Sequence, residues 1–357
     1  MAPPKSGLAW RLPGLGEPLV RTRIAVRPPA PGEAVVKVEA CGLCGSDRFL
    51  QSGGFGRDKF PVVPGHEAAG TVVAVGGSDE GDRQWVGQRV ALYYIDPDRE
   101  SLALGGKENL GDGVKRMGVD FDGALSQYVT RPIRSLVLGQ GLPATELAVL
   151  SDAVATPHHA LQLADLQPRQ TVAIIGIGGI GSNAVQLSSL RGARTIAVGR
   201  SETKLAVARS LGADATISSA QGAAAIRETA GGHIDVVLQC VGSAAMDELA
   251  IEIAGVGGTV VLIGASSTAF TATSTQFIWR ELRLIGSRGF TRQDIEDVIA
   301  LRLGGELRLD HLLSDVRTFG AAGDAFAEIG VGEGFRTIIE PWVGFNDAEV
   351  RAMEGIS

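Results

Sequence analysis

Hydrophobic and polar residues alternate differently in the early and later parts of the chain. Up to about residue 150, short β-branched runs are separated by Gly and Pro. Such runs between turn residues are typical of strands joined by irregular loops. We therefore predict a mostly β domain in this part. Its strand candidates are EAVVKVEA, HEAAGTVVAVG, QRVALYY and LSQYVTRP.

From about residue 171, strand-like and helix-like segments follow each other in strict alternation. Most of the strand-like segments are nearly continuous in Val, Ile, Leu and Ala, which is typical of parallel strands buried on both faces. Six such strands predict an α/β fold with a doubly wound parallel sheet. The predicted strands are residues 171–176, 193–199, 213–217, 234–242, 258–265 and 282–287.

The last part of the chain holds a helical stretch, RQDIEDVIALRL, and a late strand, FRTIIEPWV. Roughly 60 residues are marginal as an independent unit, so we expect this tail to return to the first domain. The predicted organisation is a catalytic β-rich domain over residues 1–152, a dinucleotide-binding domain over 153–295 and a return to the catalytic domain over 296–357.

Composition and charge exclude several function classes. A chain of 357 residues with 45% hydrophobic residues is long enough for two cores. The 33 Lys and Arg against 40 Asp and Glu give a net charge of −7 without a long basic run, which argues against binding nucleic acid or an anionic membrane. Neither a signal peptide nor a membrane-spanning run is apparent. We expect a soluble, cytoplasmic protein.

The three cysteines are too few for a disulfide framework, which fits a reducing compartment. Cys41 and Cys44 form a CxxC pair, which could indicate a redox dithiol. That motif belongs to a βαβ setting at a helix start, whereas this pair lies in the β-rich part, so we favour other roles. Cys240 lies in an apolar strand and is interpreted as core.

A glycine motif follows the first strand of the alternating region, Gly176-Ile177-Gly178-Gly179-Ile180-Gly181. Gly176 permits the tight turn, Gly178 lets backbone approach a pyrophosphate, and Gly181 permits close packing of the next helix, whose N-terminus offers N–H donors. This context predicts dinucleotide binding; the alternative is a turn that only packs tightly.

The second strand of this region ends at Gly199-Arg200-Ser201. An NAD site usually has Asp or Glu at this place to accept from the ribose 2′-OH. Gly199 lacks that carboxylate, and Arg200 with Ser201 could bind a 2′-phosphate. We predict NADP(H) as the preferred cofactor, with NAD(H) possible and with Arg200 as a merely solvated residue as the alternative.

A metal site is indicated in the first domain, where Cys44 precedes His66 by 22 residues. Thiolate and imidazole suit zinc, and a catalytic zinc takes three protein ligands and leaves one position open. Either residue alone is more often structural, so these two ligands are weak evidence by themselves.

The motifs CGLCGSD, PGHEAAG, LSDAVATPHHAL and GIGGIG, in this order, resemble the zinc-dependent medium-chain alcohol dehydrogenases. The resemblance spans most of the chain and implies a GroES-like catalytic domain beside a Rossmann domain. It further implies Cys44, His66 and Asp152 as zinc ligands. Glu67 would be a nearby carboxylate able to approach the metal, and Asp47 would orient His66.

The same resemblance implies the cofactor contacts. Thr156 would pack beside the nicotinamide, and Arg336 would reach the pyrophosphate, unless it is a surface residue. The active site is expected between the domains, at the carboxyl ends of the strands. By position alone, Phe49, Phe55 and Tyr93 could line the substrate side. Ribose and carboxamide contacts are expected from Val241, Gly242, Ile263 and Gly264.

The sequence departs from the family in two places. Many relatives bind a structural zinc with four Cys, but the matching positions here are close to Pro97, Glu100, Ala103 and Gly111. We therefore predict one catalytic zinc and no structural zinc. Relatives also often pass the alcohol proton from a Ser, here Ser46, through the cofactor ribose to a His three residues later, but this chain has Phe49 there. Either the proton leaves from the ribose to water or another group serves; His158 and His159 are candidates on spacing alone, and we favour a helix-face or core role for both.

The resulting prediction is a zinc-dependent oxidoreductase that interconverts an alcohol, preferably secondary, and a ketone or aldehyde. A polyol or cyclitol dehydrogenase on the same scaffold, a zinc-independent enoyl or quinone reductase, and a non-enzymatic protein remain as alternatives. No nucleic acid or membrane partner is expected. By analogy with relatives, we expect a homodimer or homotetramer.

Overall fold

The computed structural model describes residues 4–345, which fall into two compact units. The first unit contains the described residues up to Asp152, Thr291–Ile299 and those from Leu312 onward. The second contains Ala153–Phe290 and Ala300–His311. The helix Arg292–Leu303 is thus divided between the units, whereas a single return of the chain was expected. The predicted return of residues 346–357 lies outside the described residues.

A six-stranded parallel sheet forms the centre of the second unit. Its four inner strands are almost fully buried, because helices cover both faces, whereas its two edge strands are more exposed. The spatial order corresponds to 3-2-1-4-5-6, and the predicted doubly wound Rossmann fold is therefore confirmed. In that order the strands are Ala215–Ser218, Arg194–Gly199, Thr171–Ile175, Val236–Gln239, Thr259–Leu262 and Arg283–Gly286.

Helices alternate with these strands, beginning with one that precedes the first strand. Ala, Ile and Val side chains from both element types form one hydrophobic core. The helices are Ala155–Leu163, Gly179–Leu190, Glu202–Ser210, Gly222–Thr229, Ala244–Ile253 and Ser274–Ile278.

The fourth strand is shorter than predicted. It ends at Gln239, because the Oε1 atom of Gln239 accepts hydrogen bonds from the backbone N–H groups of Val241 (2.6 Å) and Gly242 (3.0 Å). Side-chain bonds of this kind compete with strand pairing. Cys240 consequently lies just beyond the strand and is only half-buried, so its interpretation as a core strand residue is wrong.

The first unit is built on a mostly antiparallel seven-stranded sheet around the long strand Glu33–Leu43. The late strand Thr337–Glu340 pairs antiparallel with that strand, so it brings Arg336 beside Leu43. This architecture confirms the GroES-like fold. The other strands of the sheet are Glu67–Val75, Arg89–Leu92, Tyr128–Pro132, Leu136–Leu138 and Val316–Thr318, and a separate hairpin is formed by Ser6–Arg11 and Val20–Ala25.

Short helices connect these strands. They include Gly45–Gln51, Glu80–Arg83, Arg99–Leu102, Ala144–Val149 and Ala322–Ala327, with a π-helical turn at Leu150–Val154 and 3-10 turns at Arg57–Lys59, Glu108–Leu110, Ile133–Ser135 and Phe319–Ala321; another 3-10 turn, Ser219–Gln221, lies in the second unit. Across residues 4–345, no helix combines the length and hydropathy needed to cross a bilayer.

Residues 95–120, here called the lobe, occupy the segment where many relatives carry four Cys. A two-stranded pair, Ile95–Asp96 with Lys115–Arg116, closes its base. Asp98 caps a short helix by accepting bonds from the backbone N–H of Ser101 at 2.7 Å and from its hydroxyl at 2.5 Å. Arg116 and Asp120 form a bidentate ion pair at 2.8 and 3.2 Å. Ordinary polar contacts thus give the lobe its shape.

Candidate active site

Cys44 lies at the N-cap of the helix Gly45–Gln51, directly after the longest strand. Cys44 therefore lies at a helix start. Its first turn is stabilised by Asp47, whose Oδ2 accepts a hydrogen bond from the backbone N–H of Cys44 at 2.9 Å. Thiols at helix N-termini ionise more readily. Cys41, by contrast, is in the strand, and burial raises the pKa of its thiol.

His66 is presented by Gly65, whose φ of 96° suits glycine. A Cβ at Gly65 would lie 2.7 Å from the sulfur of Cys41 and from the backbone N of Leu125. The imidazole is buried, with Nδ1 3.4 Å from Oδ1 of Asp47. This contact orients the ring and leaves Nε2 directed to Ser46, whose Oγ is 3.1 Å away.

Asp152 completes a group of three potential metal ligands. It lies in the π-helical turn Leu150–Val154, a geometry frequent at functional sites. Oδ2 of Asp152 is 3.7 Å from Nε2 of His66. One ligand atom from each of Cys44, His66 and Asp152 lies within 4.8 Å of the other two, and all three residues are buried.

Arg336 is buried against the same group, an arrangement that the sequence did not predict. Its Nη2 donates to Oδ2 of Asp152 at 3.3 Å, and its Nη1 donates to the carbonyl of Leu43 at 3.4 Å. Its Nε is 3.2 Å from Oε2 of Glu67, an ion pair without hydrogen-bond geometry. Glu67 is fully buried above Gly42, where a Cβ would collide with its carboxylate.

The pKa values in this group are strongly shifted. Burial and the charge of Asp152 raise the pKa of the Cys44 thiol, but Arg336 and His66 outweigh them, so it is lowered. The pKa of Asp152 is also lowered, since His66 and Arg336 overcome burial. Burial raises the pKa of Glu67 well above its usual range, although Arg336 opposes this effect. The surroundings of Cys44 and Asp152 thus shift both groups toward the ionised forms that bind metals.

The donor set fits a zinc ion. Thiolate, imidazole and carboxylate are the ligands that zinc prefers. Arg336 lies against Asp152, so its charge offsets part of the negative charge that the anionic ligands would bring to a divalent cation. Glu67 does not join the group of close ligand atoms and instead faces Arg336.

The glycine motif of the second unit has the local geometry expected of a dinucleotide loop. Gly176 has a φ of 93°, and a Cβ at Gly181 would collide with the carbonyl oxygen of Gly176. A Cβ at Gly178, the N-cap of the helix Gly179–Leu190, would meet no atom within 4 Å. The loop from Gly176 to Gly181, here called the pyrophosphate loop, therefore leaves its second glycine open to a ligand.

Comparisons with known proteins assign a family to both parts of the chain. Residues 30–141 match the alcohol dehydrogenase GroES-like domain, and residues 179–303 match the zinc-binding dehydrogenase family. An alcohol dehydrogenase from Geobacillus stearothermophilus is 30% identical over 283 residues, covering 78% of this chain and 83% of that protein. The chain belongs to the zinc-dependent medium-chain alcohol dehydrogenases.

Two solved structures extend this likeness. A zinc-binding dehydrogenase from Sinorhizobium meliloti bound to NADP is 28% identical, with a TM-score of 0.82 over 94% of this chain and 99% of that one. Acetophenone reductase from Geotrichum candidum in complex with NAD is 27% identical, with a TM-score of 0.83 over 97% and 100%. The protein is an NAD(P)-dependent zinc alcohol dehydrogenase, which disfavours the zinc-free reductase and non-enzymatic alternatives.

The part of this alcohol dehydrogenase expected to bind the adenosine end of the cofactor lies after the second Rossmann strand. Gly199 is buried against Leu205 and Ile177. Arg200 is exposed and forms no hydrogen bond or ion pair with any residue between 4 and 345. The hydroxyl of Ser201 accepts a bond from the backbone N–H of Lys204 at 3.2 Å and so caps the next helix.

The remaining predicted cofactor residues of the dehydrogenase also lie in the second unit. Four of them lie at the ends of the fourth and fifth strands, where the backbones of Gly242 and Gly264 approach closely. A Cβ at Gly264 would collide with the backbone N of Gly242. Val241 is half-exposed next to Gly242, and Ile263 directly precedes Gly264. Thr156 is buried in the helix Ala155–Leu163.

The aromatic residues predicted on the substrate side separate in the structure. The rings of Phe49 and Phe55 meet edge to face, with centroids 5.0 Å apart. Tyr93 is almost fully buried, and it is Tyr94 whose ring contacts that of His66, at 5.5 Å.

His158 does not have the surroundings of a free proton carrier. Its Nε2 lies 2.8 Å from the amide nitrogen of Gln162, and its Nδ1 lies 3.3 Å from Nη2 of Arg191. Like His159, it is buried in the helix Ala155–Leu163. These bonds favour a structural role for His158 in the dehydrogenase.

Proposed function

We propose that Cys44, His66 and Asp152 bind one catalytic zinc ion and that the enzyme has no structural zinc. The observation that supports this set most directly is the approach of the three ligand atoms to within 4.8 Å in a buried group. The lobe contains no cysteine, so the four-thiolate site of relatives has no ligands here. Arg336 would offset part of the negative charge of the ligands, and Glu67 would face Arg336.

When bound, zinc supplies Lewis acidity that lowers the pKa of an alcohol and polarises a carbonyl. Ser46 then holds the substrate hydroxyl proton at its Oγ. Oγ of Ser46 lies 3.1 Å from Nε2 of His66, and a metal held by His66 would leave this hydroxyl free for substrate. Asp47 keeps the imidazole oriented through Nδ1. A nicotinamide cofactor held by the pyrophosphate loop would supply the hydride donor or acceptor.

For the substrate, we propose a secondary alcohol and the corresponding ketone. The similar protein from Geotrichum candidum is named for a ketone, acetophenone, whose reduction gives a secondary alcohol. The aromatic pair Phe49 and Phe55 offers an apolar surface near Ser46 in sequence. A polyol or cyclitol substrate is the alternative, and hydroxyl-rich substrates would need more polar groups than this pair provides.

For the cofactor, we propose a preference for NADP(H). Gly199 provides no carboxylate to repel a 2′-phosphate, and the unpaired, exposed Arg200 is suited to bind one. The similar enzyme from Sinorhizobium meliloti binds NADP, whereas that from Geotrichum candidum binds NAD. Arg200→Ala should therefore weaken NADPH binding about tenfold and leave NADH binding unchanged.

We also propose that the enzyme is a homodimer or homotetramer. The strand Arg283–Gly286 is an edge of the Rossmann sheet and is largely exposed. Ile278 and Trp279, just before it, are 67% and 80% exposed. An unpaired edge beside apolar side chains favours association. Light scattering should give two or four times the chain mass of 37.1 kDa.

The zinc set is tested by metal analysis of the purified enzyme and of Asp152→Asn. We expect about one zinc per chain in the wild type and both zinc and activity lowered in the variant. Asp58→Asn, at an exposed residue, is the control and should change neither. Full zinc content with full activity in Asp152→Asn would refute Asp152 as a ligand.

Cofactor and substrate are tested by initial rates with NADPH and NADH at equal concentration on acetophenone and on a cyclitol ketone. Faster reduction of acetophenone with NADPH is expected. A clear NADH preference would overturn the cofactor proposal, and a higher kcat/KM for the cyclitol ketone would favour the alternative substrate class. Removal of zinc by a chelator should abolish all these activities.

A further inference from the structure

The first unit contains a cavity whose wall includes none of the candidate zinc ligands. Its volume is about 390 Å³, and all its lining residues lie between positions 24 and 132. Small-molecule sites commonly measure about 300–1,000 Å³. Part of the wall is apolar and part is charged. The apolar part includes Ile24, Val26, Phe121 and Val129.

Arg131 is a buried cation in this wall. It lies on the strand Tyr128–Pro132 and is only 1% exposed. Its Nη2 donates to the carbonyl of Tyr93 at 3.1 Å, and its guanidinium lies 4.9 Å from the ring centre of Phe121. Its Nε is buried without a hydrogen-bond partner. Among residues 4–345, no carboxylate forms an ion pair with it.

The acidic groups of the wall are already paired with other cations. Asp96 and Glu33 act on Arg131 from a distance, yet each binds a different arginine. Arg131 and Lys115 are therefore the two cations of the wall that lack an acidic partner among the described residues. The pairs are Arg27 with Glu33 at 2.6 Å, Arg134 with Asp96 at 2.9 Å and Arg11 with Asp122 at 3.0 Å.

An unpaired buried charge is unfavourable, because water no longer solvates it and no counter-ion replaces that water. Burial lowers the pKa of Arg131 to about 10, which leaves the guanidinium charged at neutral pH. The Nε–H group lacks an acceptor, and the charge lacks a counter-ion. An anion would supply both. The ring of Phe121 beside the guanidinium adds an apolar surface.

We propose that this cavity is a second ligand site, which binds a small monocarboxylate with an apolar body. The carboxylate accepts hydrogen bonds from the guanidinium of Arg131, and the apolar body contacts Phe121 and Val26. A planar guanidinium matches a carboxylate in shape as well as in charge. The three paired acidic groups of the wall disfavour a dianion such as phosphate.

The probe is 4-bromobenzoate, titrated by calorimetry into the zinc-loaded enzyme at low salt and pH 7. The neutral isostere 4-bromobenzamide is the ligand control. Variants Arg131→Met and Arg131→Lys remove the charge and the planar fork respectively, and Arg83→Met removes an exposed arginine outside the cavity. We expect binding about tenfold weaker or worse in both Arg131 variants and unchanged binding in Arg83→Met.

A carboxylate can also bind at the zinc, so the anomalous signal of bromine in crystals of the wild type locates the ligand. Bromine beside Phe121 and Arg131 supports the proposal. Bromine at the zinc site alone, equal binding of the amide, or unchanged affinity in Arg131→Lys would overturn it. If circular dichroism shows that Arg131→Met does not fold, the wild-type crystal and the affinity of Arg131→Lys still test whether the carboxylate binds at Arg131.

Discussion

The pyrophosphate loop and the candidate zinc site are built on opposite principles. In the loop, Gly176, Gly178 and Gly181 act through backbone, and the absence of a Cβ at these three positions shapes the loop. In the zinc site, side chains from four distant segments meet, and their charges balance only as a group. Substitutions that add a side chain should therefore disturb the loop by local steric clashes. Substitutions in the zinc site should instead act through the charge coupling among its residues.

The largest effect is expected for His66→Ala, which removes a zinc ligand. Loss of Lewis acidity worth several kcal/mol should lower kcat/KM on the order of a thousandfold. NADPH binding, measured by fluorescence titration, should stay within a few-fold of the wild type, because the loop is a separate structure. A similar loss of NADPH affinity would contradict the view that the two sites are independent. Exposed His233→Ala is the matched control.

A large loss of stability is expected for Arg336→Met in the zinc-free enzyme. It leaves the buried carboxylates of Glu67 and Asp152 without their cation, which should cost about 3–5 kcal/mol. The double variant with Glu67→Gln should recover part of this loss, since one uncompensated carboxylate is removed. Denaturant unfolding of all four proteins measures the coupling. Strictly additive effects would contradict a charge network.

Two glycine variants sharpen the description of the loop. Gly181→Ala places a methyl group against the carbonyl of Gly176 and should destabilise the enzyme by about 1–3 kcal/mol. Gly178→Ala adds the same group in open space, so it should leave the melting temperature unchanged while weakening NADPH binding. Equal melting temperatures for both variants would contradict the assigned steric roles. Zinc content should be normal in each.

The smallest effect is expected in the pH dependence of the free energy of unfolding. Burial lowers the pKa of His311 to about 4, with Asp310 opposing and Arg308 assisting, and its Nε2 lies 3.0 Å from Oγ of Ser182 in the helix after the loop. Between pH 6.5 and 4 the unfolded chain binds the proton more strongly, so stability should fall as the pH falls, by about 1–2 kcal/mol for this partly exposed group. Calorimetry should find a flatter pH profile for His311→Gln.

The sequence predicted the Rossmann half well because its signals are local. Continuous apolar strands and the spacing of Gly176, Gly178 and Gly181 do not depend on the rest of the chain. The fourth strand was predicted too long. An apolar run does not reveal that the side chain of Gln239 ends the strand pairing.

The zinc-site residues could be nominated only through the family resemblance, since no local pattern links positions 44, 66 and 152. The burial of Arg336 between Glu67 and Asp152 escaped prediction, because it depends on pairing of the late strand with the strand before Cys44. The sequence offered one weak indication. The carboxylate of Glu67 lies in an apolar strand segment, and a buried carboxylate usually needs a cation nearby, although the sequence does not say which one.

The lobe has a practical consequence for spectroscopy. Its capping aspartate and its Arg116–Asp120 pair keep its shape without thiolate ligands. Metal can then be dialysed out and cobalt(II) introduced without loss of that shape. We expect the visible absorption bands of such a preparation to arise from a single coordination sphere, so that each band reports directly on the ligand set at Cys44.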